Sequence, residues 1–238
     1  MQQKPKALIF DVFGTCVDWR TSIAYYLTDL ADEIHLPTRN WYEFTDAWRG
    51  TYQPQLETVR NGSRPWTKLE QLNKESLDTI LDQFGLNNLT AEQKHKINEV
   101  WTKLTPWSDT VPGLTLLKQQ FIIAPCSNAD ISLSVRLAKH AQLPWDAILG
   151  AEISNSFKPQ PETYLQSVAA LGLHPEEVLM VAAHNSDLQA AQRCGLQVAF
   201  IPRPHEFGAM QNSDLFAEKE YNYVADNLIH LSKLLGVQ

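Results

Sequence analysis

The chain has no cluster of positive charge. Its 238 residues carry 20 Lys and Arg against 27 Asp and Glu, a formal net charge of −7. A nucleic-acid or anionic-membrane surface needs concentrated positive charge, so neither is expected as a partner. No apolar run approaches the roughly 20 residues of a membrane span. The opening "MQQKPKALIF" enters a strand pattern almost at once, leaving no room for a signal peptide's apolar stretch. A cytoplasmic protein is expected. Cysteine is scarce as well: Cys16, Cys126 and Cys194 are odd in number, far apart and lack a CxxC pair. This argues against a disulfide frame or a thiolate zinc site. His184 apart, the histidines show no metal-ligand spacing. Repeats and low-complexity tracts are also missing.

What is present is ordinary folded composition, 44% hydrophobic and 20% charged, which excludes disorder. The length suffices for a core with a smaller second unit. Short apolar runs, "KALIF", "FIIAPC", "AILGAE", "VLMVAA" and "QVAFIP", are each followed by turn residues and a helical pattern. Such alternation predicts a doubly wound, Rossmann-like α/β core with a parallel sheet. The first run ends near Phe10 and the second begins only near Phe121. Between them stand helical patterns such as "TSIAYYLTDLADEI", "NWYEFTDAWRGTYQPQLETV", "TKLEQLNKESLDTILDQFG" and "TAEQKHKINEVWTKL". The last opens with Thr90 three residues before Gln93, a capping-box spacing. The expectation is an α/β core of residues 1–17 and 106–238 with an all-helical cap, 18–105, inserted after the first strand.

In open parallel sheets a ligand sits outside the carboxyl ends of the strands. The residues at those ends are Asp11 and Thr15, then Ser127 and Asn128, then Lys158, then His184, Asn185 and Asp187. Acid, hydroxyl and amine are thereby expected at one crevice.

Those segments, "DVFGT", "CSNAD", "SFKPQPETY" and "VAAHNSDLQAA", resemble in order and spacing the four motifs of the haloacid dehalogenase superfamily, across nearly the whole chain. Most members of that superfamily are magnesium-dependent phosphate-transfer enzymes with a DxDxT first motif. Here Phe13 stands at the second acid, and Ala183 at the first acid of the fourth motif. Phe13 cannot donate a proton, and magnesium loses an oxygen ligand. The chain looks instead like the L-2-haloacid dehalogenase branch, which has an aromatic residue at the Phe13 position and works without metal. "DAWRGTY" resembles that branch's Trp-Arg pair, and "KPQPETY" its Lys followed six residues later by Tyr.

The resemblance implies roles. Asp11 attacks the α-carbon of a 2-haloacid to give an ester with inversion, and Arg49 accepts the halide. Thr15 and Ser127 hold the nucleophile and the substrate carboxylate, although either residue also suits a helix cap. Lys158 keeps Asp11 ionised and Asp187 pairs with Lys158, since an unpaired buried ammonium is costly. Asn128 donates to an Asp11 oxygen, whereas Asn185 equally suits a turn. Phe13, Trp48, Tyr52 and Trp66 line an apolar pocket with Tyr164 beside it, although aromatics at helical spacing also serve as core. Aligned on Asp187, His184 replaces an asparagine of the better-known branch. It serves either as base for the hydrolytic water or as a neutral spacer. In "PRPHEF", Arg203 is expected to touch the cap or a second subunit.

The expected function is cofactor-free, metal-independent hydrolysis of short (S)-2-haloacids to (R)-2-hydroxy acids and halide, by a protein for which the resemblance implies a homodimer. The rivals are a magnesium-dependent phosphatase on the same fold and a catalytically retired binding protein. Halogen preference and substrate chain length are not written in the motifs.

Overall fold

The computed structural model describes residues 4–37 and 39–237. Residues 1–3, 38 and 238, which fall inside the expected core and cap spans, lie outside the described residues.

The first apolar run forms β1 (Ala7–Phe10), every residue of it buried. Side chains of a strand point alternately to opposite faces. Here both faces are covered: Leu8 and Phe10 enter one hydrophobic cluster, Ala7 and Ile9 another. This is why the run is continuously apolar rather than alternating. Full burial of a Leu, Ile or Phe is worth roughly 1.5–3 kcal/mol each, and β1 buries three such residues, enough to anchor the acid that follows it.

Two-residue strands β2 (Val17–Asp18) and β3 (Thr105–Pro106) pair antiparallel where the chain leaves and re-enters the sheet region. The sheet is completed by β4 (Ile122–Ser127), β5 (Leu149–Gly150), β6 (Val178–Ala182), β7 (Gln197–Phe200) and β8 (Tyr223–Val224). Its order is β5-β4-β1-β6-β7-β8, with every pairing parallel. The chain thus lays strands to either side of β1, and its connections diverge at the carboxyl end of β1, where a crevice forms.

Between β2 and β3 the chain is helical: α1 (Trp19–Glu33), α2 (Trp41–Gly50), α3 (Tyr52–Arg60), α4 (Leu69–Gln83), α5 (Ala91–Asn98) and a 3₁₀ turn, Glu99–Thr102. Thr90 and Gln93 form the expected capping box. The pattern "NWYEFTDAWRGTYQPQLETV", which suggests a single helix, is two. Pro54 has no N–H to give the carbonyl of Gly50, and Thr51 instead turns its hydroxyl and amide onto the Trp48 carbonyl.

Around the sheet stand α6 (Thr110–Leu117), α7 (Ile131–Ala141), α8 (Ala151–Ser154), α9 (Pro161–Ala170), α10 (Asn185–Arg193) and α11 (Leu228–Leu234). Side chains of α6, α7 and α11 share the Leu8 and Phe10 cluster, and those of α9 and α10 the Ala7 and Ile9 cluster. The "AILGAE" run yields only two strand residues. Gly150 has φ +117°, and a β-carbon there would stand 2.2 Å from the Ser127 carbonyl oxygen, so the chain turns into α8. The strand β8 has no counterpart among the apolar runs. Among the described residues no helix is long and apolar enough to cross a membrane.

Arg203 does not reach the cap as expected. It is buried, pairs through both terminal nitrogens with Asp109 at 2.6 and 2.9 Å, and donates from Nε to the Thr15 carbonyl at 2.9 Å. Asp109 also accepts from the Leu228 amide at the start of α11. Removing one member of a buried pair leaves the other uncompensated, at a cost of roughly 3–5 kcal/mol. Urea titrations of Asp109→Asn and Arg203→Met should each show a loss of about that size. The double variant should fall well short of the sum, whereas strictly additive losses would show that the two side chains act independently.

Candidate active site

Asp11 follows directly on β1 and is 7% exposed. Its Oδ1 accepts from Lys158 Nζ at 2.8 Å, and its Oδ2 from the Thr15 hydroxyl at 2.7 Å. The Thr15 hydroxyl in turn accepts from the Ala183 amide at 2.9 Å, tying the turn after β1 to the end of β6. Lys158 also donates to Asp187 Oδ2 at 2.5 Å, and the Tyr164 hydroxyl donates to Asp187 Oδ1. The ammonium therefore sits between two carboxylates from different elements, all three groups being about nine-tenths buried.

Electrostatics follow from this packing. Burial alone would raise the Asp11 carboxyl, but the Lys158 ammonium and the His184 ring outweigh it and hold Asp11 well below the usual carboxylate range. Burial likewise opposes the charge on Lys158, and the carboxylates of Asp11 and Asp187 overcome it, so the lysine stays protonated. Burial and then Asp187 push the Tyr164 hydroxyl up, keeping it a donor. Burial pushes the Cys126 thiol up to about 12 and the Cys16 thiol higher still, which leaves neither as a nucleophile near neutral pH.

His184 ends the loop after β6 with both ring nitrogens facing acids. Nδ1 lies 3.3 Å from Asp11 Oδ2, and Nε2 lies 2.8 Å from Glu206 Oε2. Glu206 is 1% exposed and also accepts from Trp19 Nε1 at 2.9 Å. The "PRPHEF" stretch drew attention to Arg203 and not to Glu206, which comes from the same segment between β7 and β8, far along the chain from Asp11. Space for its carboxylate comes from Gly14, where φ is +90° and a β-carbon would stand 2.1 Å from Glu206 Oε1. Asn185 is more than a turn residue. It opens α10 and holds that same segment through Asp214, Phe216, Glu218 and Tyr221.

A cavity of about 860 Å³ opens over Asp11. From the helical insert come Trp19, Arg49, Tyr52 and Arg60, and from the sheet side Phe13, Asn128, Lys158, Tyr164, His184 and Asp187, with Phe207 beside them. The Arg49 guanidinium lies 3.9 Å over the Tyr52 ring and 5.2 Å from that of Trp19. Its Nη1 is buried without a hydrogen-bond partner. A buried, charged donor with nothing to bind marks a place for an anion.

Several expected site residues do not make the expected contacts. Ser127 is not on the cavity wall; its hydroxyl turns back to accept from the Ala129 amide at 3.1 Å. Asn128 does not donate to Asp11: its amide donates to the Tyr52 hydroxyl and accepts from the Lys158 amide. Trp48 lies within the helical insert, its indole N–H on Asn73 and Ser76 and its ring 5.4 Å from Trp101. Trp66 packs against Phe157, the ring centroids 4.7 Å apart and the planes tilted by 41°, outside the cavity. Both tryptophans are packing residues, and Trp19 and Phe207 supply the aromatic wall instead. Among the described residues no group of three or more His, Cys, Asp or Glu side chains is arranged to hold a metal ion.

The profile of the haloacid dehalogenase-like hydrolase family matches residues 5–195. The chain is 41% identical to the solved structure of the defluorinating L-2-haloacid dehalogenase Rha0230, with a TM-score of 0.95 over 98% of this chain and 96% of that one. It is 28% identical to an (S)-2-haloacid dehalogenase of Xanthobacter autotrophicus, over 83% of this chain and 75% of the relative. A phosphoglycolate phosphatase of Aquifex aeolicus is 25% identical over 82% of this chain and 83% of its own length.

Gly14 and Glu206 should be energetically coupled. Gly14→Ala meets both the positive φ, at about 1–3 kcal/mol, and the glutamate. Glu206→Ala should therefore cost at least about 1 kcal/mol less in the Gly14→Ala background than in wild type. Equal costs in the two backgrounds, measured by urea denaturation, would show that the carboxylate does not depend on the bare α-carbon.

Proposed function

This chain belongs to the haloacid dehalogenase-like hydrolase family, and on that premise we propose that it hydrolyses short (S)-2-haloacids to (R)-2-hydroxy acids and halide, an (S)-2-haloacid dehalogenase activity. Its likeness to the named dehalogenases supports the reading. The observation that carries it is an ionised, lysine-held Asp11 sharing a cavity with the unpartnered Nη1 of Arg49, while Phe13 occupies the place of an acid.

The chemistry follows from those groups. Asp11 attacks the α-carbon opposite the halogen and forms an ester with inversion, so one hard displacement by water becomes two easier steps. Lys158 and Thr15 hold the two carboxylate oxygens and keep the nucleophile charged and aimed. Arg49 receives the departing halide. A halide needs no proton on leaving, so an apolar Phe13 suffices where an alkoxide would require an acid. Phe13, Tyr52 and Trp19 keep water from the reacting carbon, and a dry site strengthens each charge interaction. In the second step water attacks the ester carbonyl of Asp11, with His184 Nδ1 as base and Glu206 holding Nε2–H. A positioned base contributes roughly 10²–10⁴-fold. The same reading takes the substrate carboxylate onto donors around the cavity, residues 1–17 and 106–238 as core, 18–105 as cap, and the enzyme as a cytoplasmic homodimer.

The phosphatase reading has a relative behind it, but it needs a proton donor at Phe13 and an oxygen ligand at Ala183. Retirement to a binding role leaves the buried Asp11, Lys158 and Asp187 charges without a purpose that repays their desolvation.

Wild type should release halide from (S)-2-chloropropionate and yield the (R)-hydroxy acid, and Asp11→Asn should lose at least ~10³-fold of that rate. Magnesium-dependent turnover of p-nitrophenyl phosphate, with no halide from any small haloacid, fluoroacetate included, would overturn the assignment. His184→Ala and Glu206→Gln should slow ester hydrolysis by roughly 10²–10⁴-fold more than they slow the first halide released. Mass spectrometry should then find the alkylated protein accumulating. If no adduct builds up while turnover falls, His184 and Glu206 act on the first step instead.

A further inference from the structure

The two neighbours of His184 define its charge. One nitrogen faces Asp11 Oδ2 at 3.3 Å and the other faces Glu206 Oε2 at 2.8 Å. Carboxylate oxygens only accept hydrogen bonds, so a neutral ring would aim a lone pair at one of them, and only the doubly protonated ring satisfies both. Yet a base for the hydrolytic water must present a lone pair, and the nitrogen turned toward Asp11 is Nδ1. Resting geometry and the second step thus demand opposite protonation states of one atom.

We propose that His184 is an imidazolium in the resting enzyme and that esterification of Asp11 discharges its Nδ1 proton to solvent, so the first chemical step creates the base for the second. This rests on the dehalogenase reading for its second half only. In the first half-reaction the Asp11 oxygen bonds to the α-carbon, the carbon–halogen pair leaves with the halide, and Nδ1 gives up its proton. In the second, water adds to the ester carbonyl and gives one proton to Nδ1; the acyl–oxygen bond then breaks as the departing alkoxide takes the added water's other proton, which releases the hydroxy acid and the Asp11 carboxylate. The net reaction yields one proton, and this scheme assigns it to the halide-releasing step.

The surroundings support the exchange. The His184 side chain is 19% exposed and borders the cavity, so its proton has a way out. Burial disfavours the imidazolium, and Glu206 and Asp11 more than offset it, holding the ring's pKa well above that of a free histidine. Esterification removes one of those two charges. The other charged groups on the cavity wall are Lys158 ahead of α9, Asp187 on α10, Asp214 on the segment before β8, Asp46 and Arg49 on α2, and the Glu57–Arg60 pair on α3. Lys158 is a cation already shared by Asp11 and Asp187, and it repels a neighbouring imidazolium once Asp11 is neutral. Before that step a protonated Nδ1 cannot activate water.

Nitrogen-15 NMR of histidine-labelled protein tests the resting state without substrate. Wild type should show both His184 nitrogens at imidazolium shifts at pH 7.5. In Asp11→Asn, a neutral mimic of the ester, the ring should titrate at least tenfold more readily, with the remaining proton on Nε2. A neutral His184 in wild type, or an unchanged titration in Asp11→Asn, overturns the proposal. If Asp11→Asn does not fold, the wild-type spectrum alone still decides the resting charge. Stopped-flow with a pH indicator and (S)-2-chloropropionate tests the timing. Proton and halide should appear together in a single turnover, and a proton that appears with the hydroxy acid refutes the switch. Absence of any turnover would sink the dehalogenase reading while leaving the spectra to judge the charge of His184.

Discussion

One ammonium organises this molecule. Lys158 lies buried between the carboxylates of Asp11 and Asp187, and a lone charge of either sign at that depth would be costly. The three groups come from the end of β1, the loop ahead of α9 and the first turn of α10. The sheet must bring those places together, and it does so by seating β6 directly against β1, which sets the start of α10 beside the end of β1. Tyr164 on α9 completes the contact by donating to the outer oxygen of Asp187. Stability and chemistry draw on the same pairs here, because the charge balance that makes the cluster tolerable also keeps Asp11 ionised.

Much of this was legible in the chain. β1, β4, β6 and β7 are buried on both faces, so they read as unbroken apolar runs, and the rule that sites gather at strand ends pointed to Asp11, Lys158, His184 and Asp187. Phe13 was informative because a single residue type decides whether a proton can be given. Among the aromatic residues of the insert, Tyr52 was legible and the tryptophans were not. Helical spacing says that a tryptophan is buried but not what it is buried against, so Trp48 and Trp66 turned out to be packing while Trp19 reached the cavity. Ser127 and Asn128 stood at the right strand end with side chains already engaged by backbone and by Tyr52. Glu206 escaped altogether: it meets His184 and Trp19 only through the path of a long segment whose course depends on Asn185, and no local pattern encodes such an approach.

Insert and sheet meet around the lysine itself. Arg60 on α3 donates to the Lys158 carbonyl, while the Lys158 amide donates to Asn128, which is held by the Tyr52 hydroxyl. The backbone of Lys158 is therefore gripped on both its polar sides by groups that begin or end in α3. Farther out, Glu70 of α4 pairs with Arg136 of α7, and Lys68 pairs with Glu152 of α8. The wall that carries Arg49 and the loop that carries the ammonium are thus one mechanical unit, and the distance between Arg49 and Asp11 is set by these ties.

The bare α-carbon of Gly14 has a consequence for how this arrangement could be reached or transplanted. The room that a β-carbon would fill is the room the Glu206 carboxylate occupies. A chain with any larger residue at position 14 has no berth for an acid at 206, and a glycine at 14 without that acid leaves an empty notch beside the imidazole. The two positions therefore form a single character that changes as a unit. A library that varies residues one at a time would see only the penalty on either side of the exchange, and grafting His184 onto a related scaffold would carry its partner along only if the glycine were moved with it.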